Sequence, residues 1–190
     1  VDLARSWEER LVAELAATVG EREARIVATA WGPRFPDYYS ASSPIQVAAG
    51  DVLRLVALDA GESDFIVGIQ NEPPSNEQLT RIALYRRGEK LPLSQLVKAL
   101  EDLGLEVVEE VPTRLEAGLF IHDLGVRWPG GGCLDVEECG SRLDAVLEAV
   151  WSDEGESDDL NRLIIGASLR HDQVAILRAY RTYWRRVMPV

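Results

Sequence analysis

The run RIALYRRGEKLPLSQLVKALEDLGLEVVEEVPTRLEAGLFIHDLGVRW, Arg81 to Trp128, constrains the fold more than any other stretch of the chain. Ile82 and Leu84 alternate with Ala83 and Tyr85, the period of a strand. A polar turn, Arg86 to Lys90, follows. Leu93, Leu96, Val97, Leu100 and Leu103 then fall on one helical face, and Gly104 stands where a helix stops with positive φ. Leu105, Val107 and Val111 return to a period of two. A polar connection at 113–116 leads to a last strand, Gly118–Trp128, whose Phe120, Leu124, Val126 and Trp128 share a face with His122. The order strand, helix, strand, strand leaves few topologies open.

The flanks complete the pattern. Leu3, Trp7, Leu11 and Leu15 give an amphipathic helix from Asp2 to about Thr18, broken by Gly20, and a short helix is expected over Glu21–Ala30. The two prolines of Gly32–Asp37 predict a loop, with Tyr38 and Tyr39 as packing residues. Ser42-Ser43-Pro44 reads as a helix start, serine accepting from first-turn amides and proline at the first helical position. The helix then runs on through Ile45, Ala48, Val52, Leu55 and Asp59 to Gly61. Phe65, Val67 and Ile69 form another strand, and the polar Asn71–Thr80 segment with Pro73-Pro74 a mobile hairpin connection. Asp135 caps a helix with the stripe Leu143, Val146, Leu147 and Val150. The acidic run Trp151–Asp159 reads as a solvated loop. A short apolar helix over Leu160–Ser168 precedes a final helix from His171, with Ile176, Tyr180, Tyr183 and Val187 on one side.

These elements predict an α+β fold: a ferredoxin-like, four-stranded antiparallel sheet, circularly permuted so that its last strand comes first. Phe65–Gln70 pairs with Arg81–Arg87, Gly118–Trp128 lies on the other side of Arg81–Arg87, and Leu105–Val111 is the edge; this arrangement keeps right-handed crossovers. Helices cover one face, and the other, also apolar, meets the terminal helices or another domain. We expect a helical segment over 1–60, the α/β domain over 61–152 and a helical motif over 153–190. Val1 is not an initiator methionine, and the chain stops at Met188-Pro189-Val190 directly after a helical pattern, so a piece of a longer polypeptide is expected.

Charge and chemistry exclude several functions. A net charge of −12 opposes nucleic acid, which needs a basic face. No apolar run reaches the roughly 18–20 residues of a membrane span, and VDLARSWEER lacks a signal peptide's apolar core; a cytoplasmic protein is expected. Cys133 and Cys139 have no zinc spacing and read as reduced thiols. Pro129-Gly130-Gly131-Gly132 suggests a phosphate loop, but Asp135, Glu137 and Glu138 follow where a Lys-Ser/Thr pair belongs. The acidic run lacks a calcium loop's alternation. His122-Asp123 resembles half of a metal motif, with His171 the one other histidine. Glu109-Glu110 and Glu137-Glu138 look like exposed acids, and no G-x-G-x-x-G follows a strand. The residues give no catalytic site, no metal site and no cofactor site. Arg178, Arg181, Arg185 and Arg186 interleave with Tyr180, Tyr183 and Trp184, which suggests a helix packing its aromatics on a neighbour; Tyr180, Arg181 and Trp184 are the interface candidates.

Three segments in register carry a resemblance. Leu84-Tyr85-Arg86 runs through Leu91-Pro92-Leu93-Ser94 to Leu103-Gly104-Leu105-Glu106-Val107. Phe120-Ile121-His122-Asp123-Leu124-Gly125 is similar to an "IHDFGL" strand. Asn161-Arg162-Leu163-Ile164 followed by Val174–Tyr180 is similar to an "NRLV…REVAVLRAY" helical segment. Together they resemble the large bacterial NAD-specific glutamate dehydrogenases, in the ACT-like and helical region that precedes the catalytic domain. The resemblance implies a non-catalytic regulatory or assembly module of an enzyme that deaminates L-glutamate to 2-oxoglutarate and ammonia, with NAD bound elsewhere in the parent. It implies other domains of the same polypeptide and a homo-oligomer as partners. ACT domains commonly bind amino acids at a strand–helix turn, which here is Arg86–Leu93. That makes Arg86, Arg87, Gly88 and Leu91 the candidate effector residues, the arginines for a carboxylate and Gly88 for close backbone approach. A ligand-free oligomerisation module, pairing through the Leu105–Val111 edge, is the alternative.

Overall fold

A computed structural model describes residues 6–61, 64–72 and 79–188. The Leu3 end of the first helix and the Pro73-Pro74 connection lie outside the described residues. The elements run α1 (Trp7–Val19), α2 (Glu21–Trp31), α3 (Asp37–Ser42), α4 (Ile45–Asp59), β1 (Phe65–Asn71), β2 (Thr80–Arg87), α5 (Leu93–Asp102), β3 (Glu106–Arg114), β4 (Leu119–Arg127), α6 (Val136–Trp151), α7 (Leu163–Gly166) and α8 (His171–Val187). The four strands form one antiparallel sheet in the order β1-β2-β4-β3, the ferredoxin-like arrangement expected. β3 is an edge, and its residues are mostly exposed. β2, inside the sheet, has six buried residues in succession, so both of its faces are covered.

The chain divides into two compact units. The first comprises Val1–Ile66, Leu84–Lys90 and Pro112–His122. Its α1 starts in a capping box: Ser6 Oγ accepts from Glu9 N–H at 3.2 Å and Glu9 Oε2 accepts from Ser6 N–H at 2.9 Å. Leu11 and Leu15 of α1 are fully buried, as are Ala24 and Ala28 of α2 and Ala48, Val52 and Leu55 of α4. Alanines let helix axes approach closely, which suits a small helical core. Tyr85 of β2 is buried and donates to Asp51 of α4 at 2.6 Å. A helix from the N-terminal segment thus covers that side of β2.

Three local expectations change here. Neither serine of Ser42-Ser43-Pro44 caps α4; Pro44 is itself the N-cap, and Ser42 Oγ instead donates to Tyr38 O at 2.8 Å, closing α3. The Gly32–Asp37 stretch contains a 3₁₀ turn at Gly32–Arg34 and leads directly into α3, because Pro36 stops one turn and fits just ahead of the next. Of the two tyrosines, Tyr39 is buried while Tyr38 is exposed, its hydroxyl reaching Pro112 O at 3.4 Å.

The second unit comprises Val67–Ala83, Leu91–Val111 and Asp123–Val190. Leu96 and Leu100 of α5, Leu143, Val146 and Leu147 of α6, Ile164 of α7 and Val174 of α8 are fully buried. Leu93 begins α5 but is exposed, since the first turn extends past the packed stripe. Gly104 has φ of 84°, the left-handed turn that lets Leu105 N–H return to Leu100 O at 3.0 Å. Asn71 and Thr80 hold the approach to α6: Thr80 Oγ1 donates to Asn71 Oδ1 at 2.7 Å and accepts from Leu134 N–H at 3.1 Å, while Asn71 Nδ2 donates to Leu134 O at 2.9 Å. Asp135 then caps α6, accepting from Glu138 N–H at 3.0 Å. Trp151 is not part of the solvated loop but the buried last residue of α6. An indole ring buries more apolar area than a loop position could.

Candidate functional site

The end of β2 and the turn leading to α5 hold Arg86, Arg87, Gly88 and Leu91. Gly88 has φ of 96°, a conformation that costs a side-chain-bearing residue about 1 kcal/mol or more, and its N–H donates to Gly118 O at 3.0 Å. Arg86 is half-buried, and Arg87, Gly88 and Lys90 are exposed. Arg87 is engaged already, its Nη2 2.5 Å from Asp59 Oδ1. Both partners are about half exposed, so the pair is a weak surface contact that a ligand carboxylate can displace. Arg86, Arg87 and Gly88 belong to the first unit and Leu91, half-buried, to the second.

A second feature of the first unit has no signature in the sequence. A cavity of about 400 Å³ is lined by Pro33, Arg34, Phe35 and Pro36 on one side and by Arg114 to Gly118 on the other. Arg34 lies 4.3 Å over the Trp31 ring and Arg114 5.8 Å over the Phe120 ring, contacts in which the π-face attracts the cation. Ala117, in the turn that forms one wall, has φ of 61°.

In the second unit, α8 presents Ile176, Tyr180, Tyr183, Trp184 and Val187 to the surface; Tyr180 is 69% and Trp184 63% exposed. Single exposed apolar residues are ordinary, whereas here several lie on one helix. Arg181 does not share that freedom. It is bound to Asp158, which also receives Arg178 at 3.0 Å. Arg178 is 6% exposed and donates further to Asn161 Oδ1 at 2.7 Å. The acidic run is mostly exposed, as expected, but part of it is also structural. Asp158 and Glu156 hold α8, and Ser157 Oγ donates to Asp102 at 2.6 Å. The hydrogen bond from Arg178 keeps the Asp158 carboxyl depressed to about 2.

Elsewhere the acidic and sulfur groups are structural. Asp123 faces away from His122, as strand alternation dictates, and receives Arg81 through Nε at 2.9 Å and Nη2 at 2.8 Å. Glu109, exposed as expected, also reaches that network from β3 at 2.5 Å, and Glu72 joins at 3.3 Å. His122 is fully buried. No cluster of His, Cys, Asp and Glu suited to a metal occurs among the described residues. Cys133 and Cys139 are free thiols lining a cavity of about 290 Å³, and burial pushes the Cys139 thiol up, away from the reactive thiolate. The glycine-rich turn does not fit a dinucleotide: the helix that follows already has the Asp135 carboxylate on its first-turn amide, where a pyrophosphate would have to sit. No helix among the described residues is long and apolar enough to cross a membrane.

Comparison with known proteins identifies two consecutive segments of the chain. Residues 67–139 match the glutamate dehydrogenase ACT3 domain and residues 155–189 the glutamate dehydrogenase helical motif 3. An NAD-specific glutamate dehydrogenase of Halomonas elongata is 28% identical over 98% of the chain, one of Pseudomonas aeruginosa 27% over 98%, and one of Mycobacterium tuberculosis 27% over 97%. The chain spans 12% of the length of each of these relatives. With the sheet order of a ferredoxin-like ACT domain in place and a helical segment following it in sequence, the chain carries a glutamate dehydrogenase ACT3 domain and helical motif 3.

Proposed function

We propose that the chain is a non-catalytic regulatory and assembly module of a longer NAD-dependent glutamate dehydrogenase. That enzyme converts L-glutamate, water and NAD⁺ to 2-oxoglutarate, ammonia and NADH in the cytoplasm. The NAD site and the groups that transfer hydride lie in other domains of the polypeptide. The observation that carries this reading is the pair of family modules in consecutive order, within a chain that aligns end to end with relatives of that name but spans 12% of their length.

In this reading the module senses an amino acid. The effector's carboxylate takes the place of Asp59 on Arg87, Arg86 adds a second guanidinium, and Gly88 allows close approach of the backbone. The test is the Arg86→Ala/Arg87→Ala double variant of the full enzyme, assayed for glutamate-dependent NADH formation across a panel of amino acids. Loss of an effector's influence with basal turnover intact supports the site; an unchanged response to every effector removes it.

One observation favours a ligand-free assembly role as the second reading. The exposed aromatic face of α8 and the edge strand β3, with Val108 and Val111 outward, offer contact area to other domains or subunits without any ligand. Tyr180 and Trp184 are the anchors there, and Arg181 acts from behind by tying α8 to Asp158.

A further inference from the structure

The cleft between the Gly32–Arg34 turn and the Arg114–Gly118 turn adjoins Gly88, whose N–H donates to Gly118 O at 3.0 Å, but has a lining of its own with the make-up of a ligand site. We propose that it binds a small organic anion carrying two carboxylates, one for each of Arg34 and Arg114.

Three observations converge. The first is size: about 400 Å³ is ample for a compact metabolite, near the lower end of the roughly 300–1,000 Å³ seen for ligand pockets. The second is the state of the arginines. In a chain with net charge −12, arginines such as Arg81, Arg87 and Arg178 are held by carboxylates. Arg34 instead lies 4.3 Å from the Trp31 ring centroid and Arg114 5.8 Å from that of Phe120, and neither has a carboxylate partner among the described residues. A guanidinium beside an aromatic ring and without a carboxylate partner keeps its N–H fork available to a bidentate carboxylate. The third is the wall. Pro33 and Pro36 stiffen one side, and Ala117 holds a left-handed conformation on the other. Such a conformation in a residue with a side chain costs about 1–2 kcal/mol and persists where the surroundings enforce it.

Glu116 lines the same cleft and sets a sign that the arginines alone do not. Its carboxylate repels a dianion, so removing its charge strengthens binding, whereas removing either arginine weakens it. Long-range attraction gives the same signs, so the preference for succinate over acetate and phosphate is what separates a built site from nonspecific attraction. The proposal does not rest on the glutamate dehydrogenase reading, because it concerns only what this chain binds.

The experiment is calorimetric titration of the 190-residue chain with succinate, acetate and inorganic phosphate at low ionic strength. Saturable succinate binding is expected, tighter than that of acetate or phosphate. Arg34→Gln and Arg114→Gln each weaken it about tenfold, the equivalent of one charged hydrogen-bonding contact, and Glu116→Gln tightens it. If a glutamine variant loses its cooperative thermal transition, the corresponding Arg→Lys variant, which keeps the charge but not the fork, is used and weakens succinate binding in the same direction. Absence of saturable succinate binding overturns the proposal. So does acetate or phosphate binding as tightly as succinate, or an affinity indifferent to both arginines.

Discussion

Arg178 Nη2 donates to Asn161 Oδ1 at 2.7 Å, joining two residues that are almost wholly removed from water. The guanidinium goes on to Asp158 at 3.0 Å, so one buried arginine fixes α8 to the segment in front of it. Replacing Arg178 with methionine keeps the aliphatic volume but leaves the Asn161 amide oxygen without this donor. The expected loss is about 2–3 kcal/mol, the cost of a buried polar group stripped of a charged partner. Urea unfolding at neutral pH measures it; a loss below half a kcal/mol would show that the cluster is incidental.

The same contact sets an acid limit. Asp158 titrates at about 2 in the folded chain against roughly 3.9 unfolded. A depressed carboxylate contributes stability that is present above the unfolded value and lost as pH falls through the folded one. The window therefore runs from about pH 4 down to pH 2. Asp158 is 27% exposed, so screening holds the effect to a modest size. Thermal midpoints across that window should fall less steeply for Asp158→Asn than for the unaltered chain, and parallel curves would contradict the assignment.

Arg81 is the corresponding anchor on the sheet. Burial works to lower its pKa, but the hydrogen bonds and charges of Asp123 and then Glu109 outweigh it and raise it. A Cβ on Gly125 would come within 2.9 Å of Arg81 Nη1 and 3.0 Å of Glu109 Cγ. Gly125→Ala is expected to displace the Arg81–Glu109 pair and cost about 1–2 kcal/mol. Arg81→Lys, losing the two-pronged grip on Asp123, is expected to cost a similar amount. Denaturant midpoints check both, with unchanged stability in the two variants as the contrary result.

Asp51 is buried and receives the hydroxyls of Tyr39 and Tyr85. Burial first, and then the charge of Asp51, push the Tyr39 hydroxyl well above its ordinary range. An unfolded tyrosine releases its proton near pH 10 while Tyr39 keeps it, so the stability this group contributes is present below about pH 10 and is lost as pH rises above it. Tyr39→Phe should be less stable at neutral pH by about 1 kcal/mol and lose less stability in alkali. Equal alkaline slopes would show that another group governs that limb.

What could be read from the chain and what could not divide along physical lines. The strand order was legible because Ile82/Leu84, Leu105/Val107 and Phe120/Leu124 repeat with a period of two, and because a strand–helix–strand unit has one favoured hand. The exposed apolar face of α8 was legible too, since Ile176, Tyr180, Tyr183 and Val187 fall on one helical side. Buried charge was not. Nothing in the spacing of Asp158, Arg178 and Asn161 says that the arginine lies inside, because a charged residue is buried only once tertiary structure supplies partners. Asp51 sat unnoticed in an apolar helix for the same reason. The Arg34 and Arg114 cleft brings together residues far apart in sequence, each held by an aromatic ring rather than by a motif. The Arg86–Leu91 turn was located, but which ligand its arginines receive depends on chemistry outside the chain.

The most direct measurement of the central claim uses the full enzyme with Tyr180, Tyr183 and Trp184 replaced by serine. These side chains face outward, so the module itself stays folded. Native mass and glutamate-dependent NAD reduction are compared with those of the unaltered enzyme. The account predicts a smaller assembly, or the same assembly with its effector response lost. Unchanged mass, turnover and effector response together would contradict a regulatory and assembly role for this module.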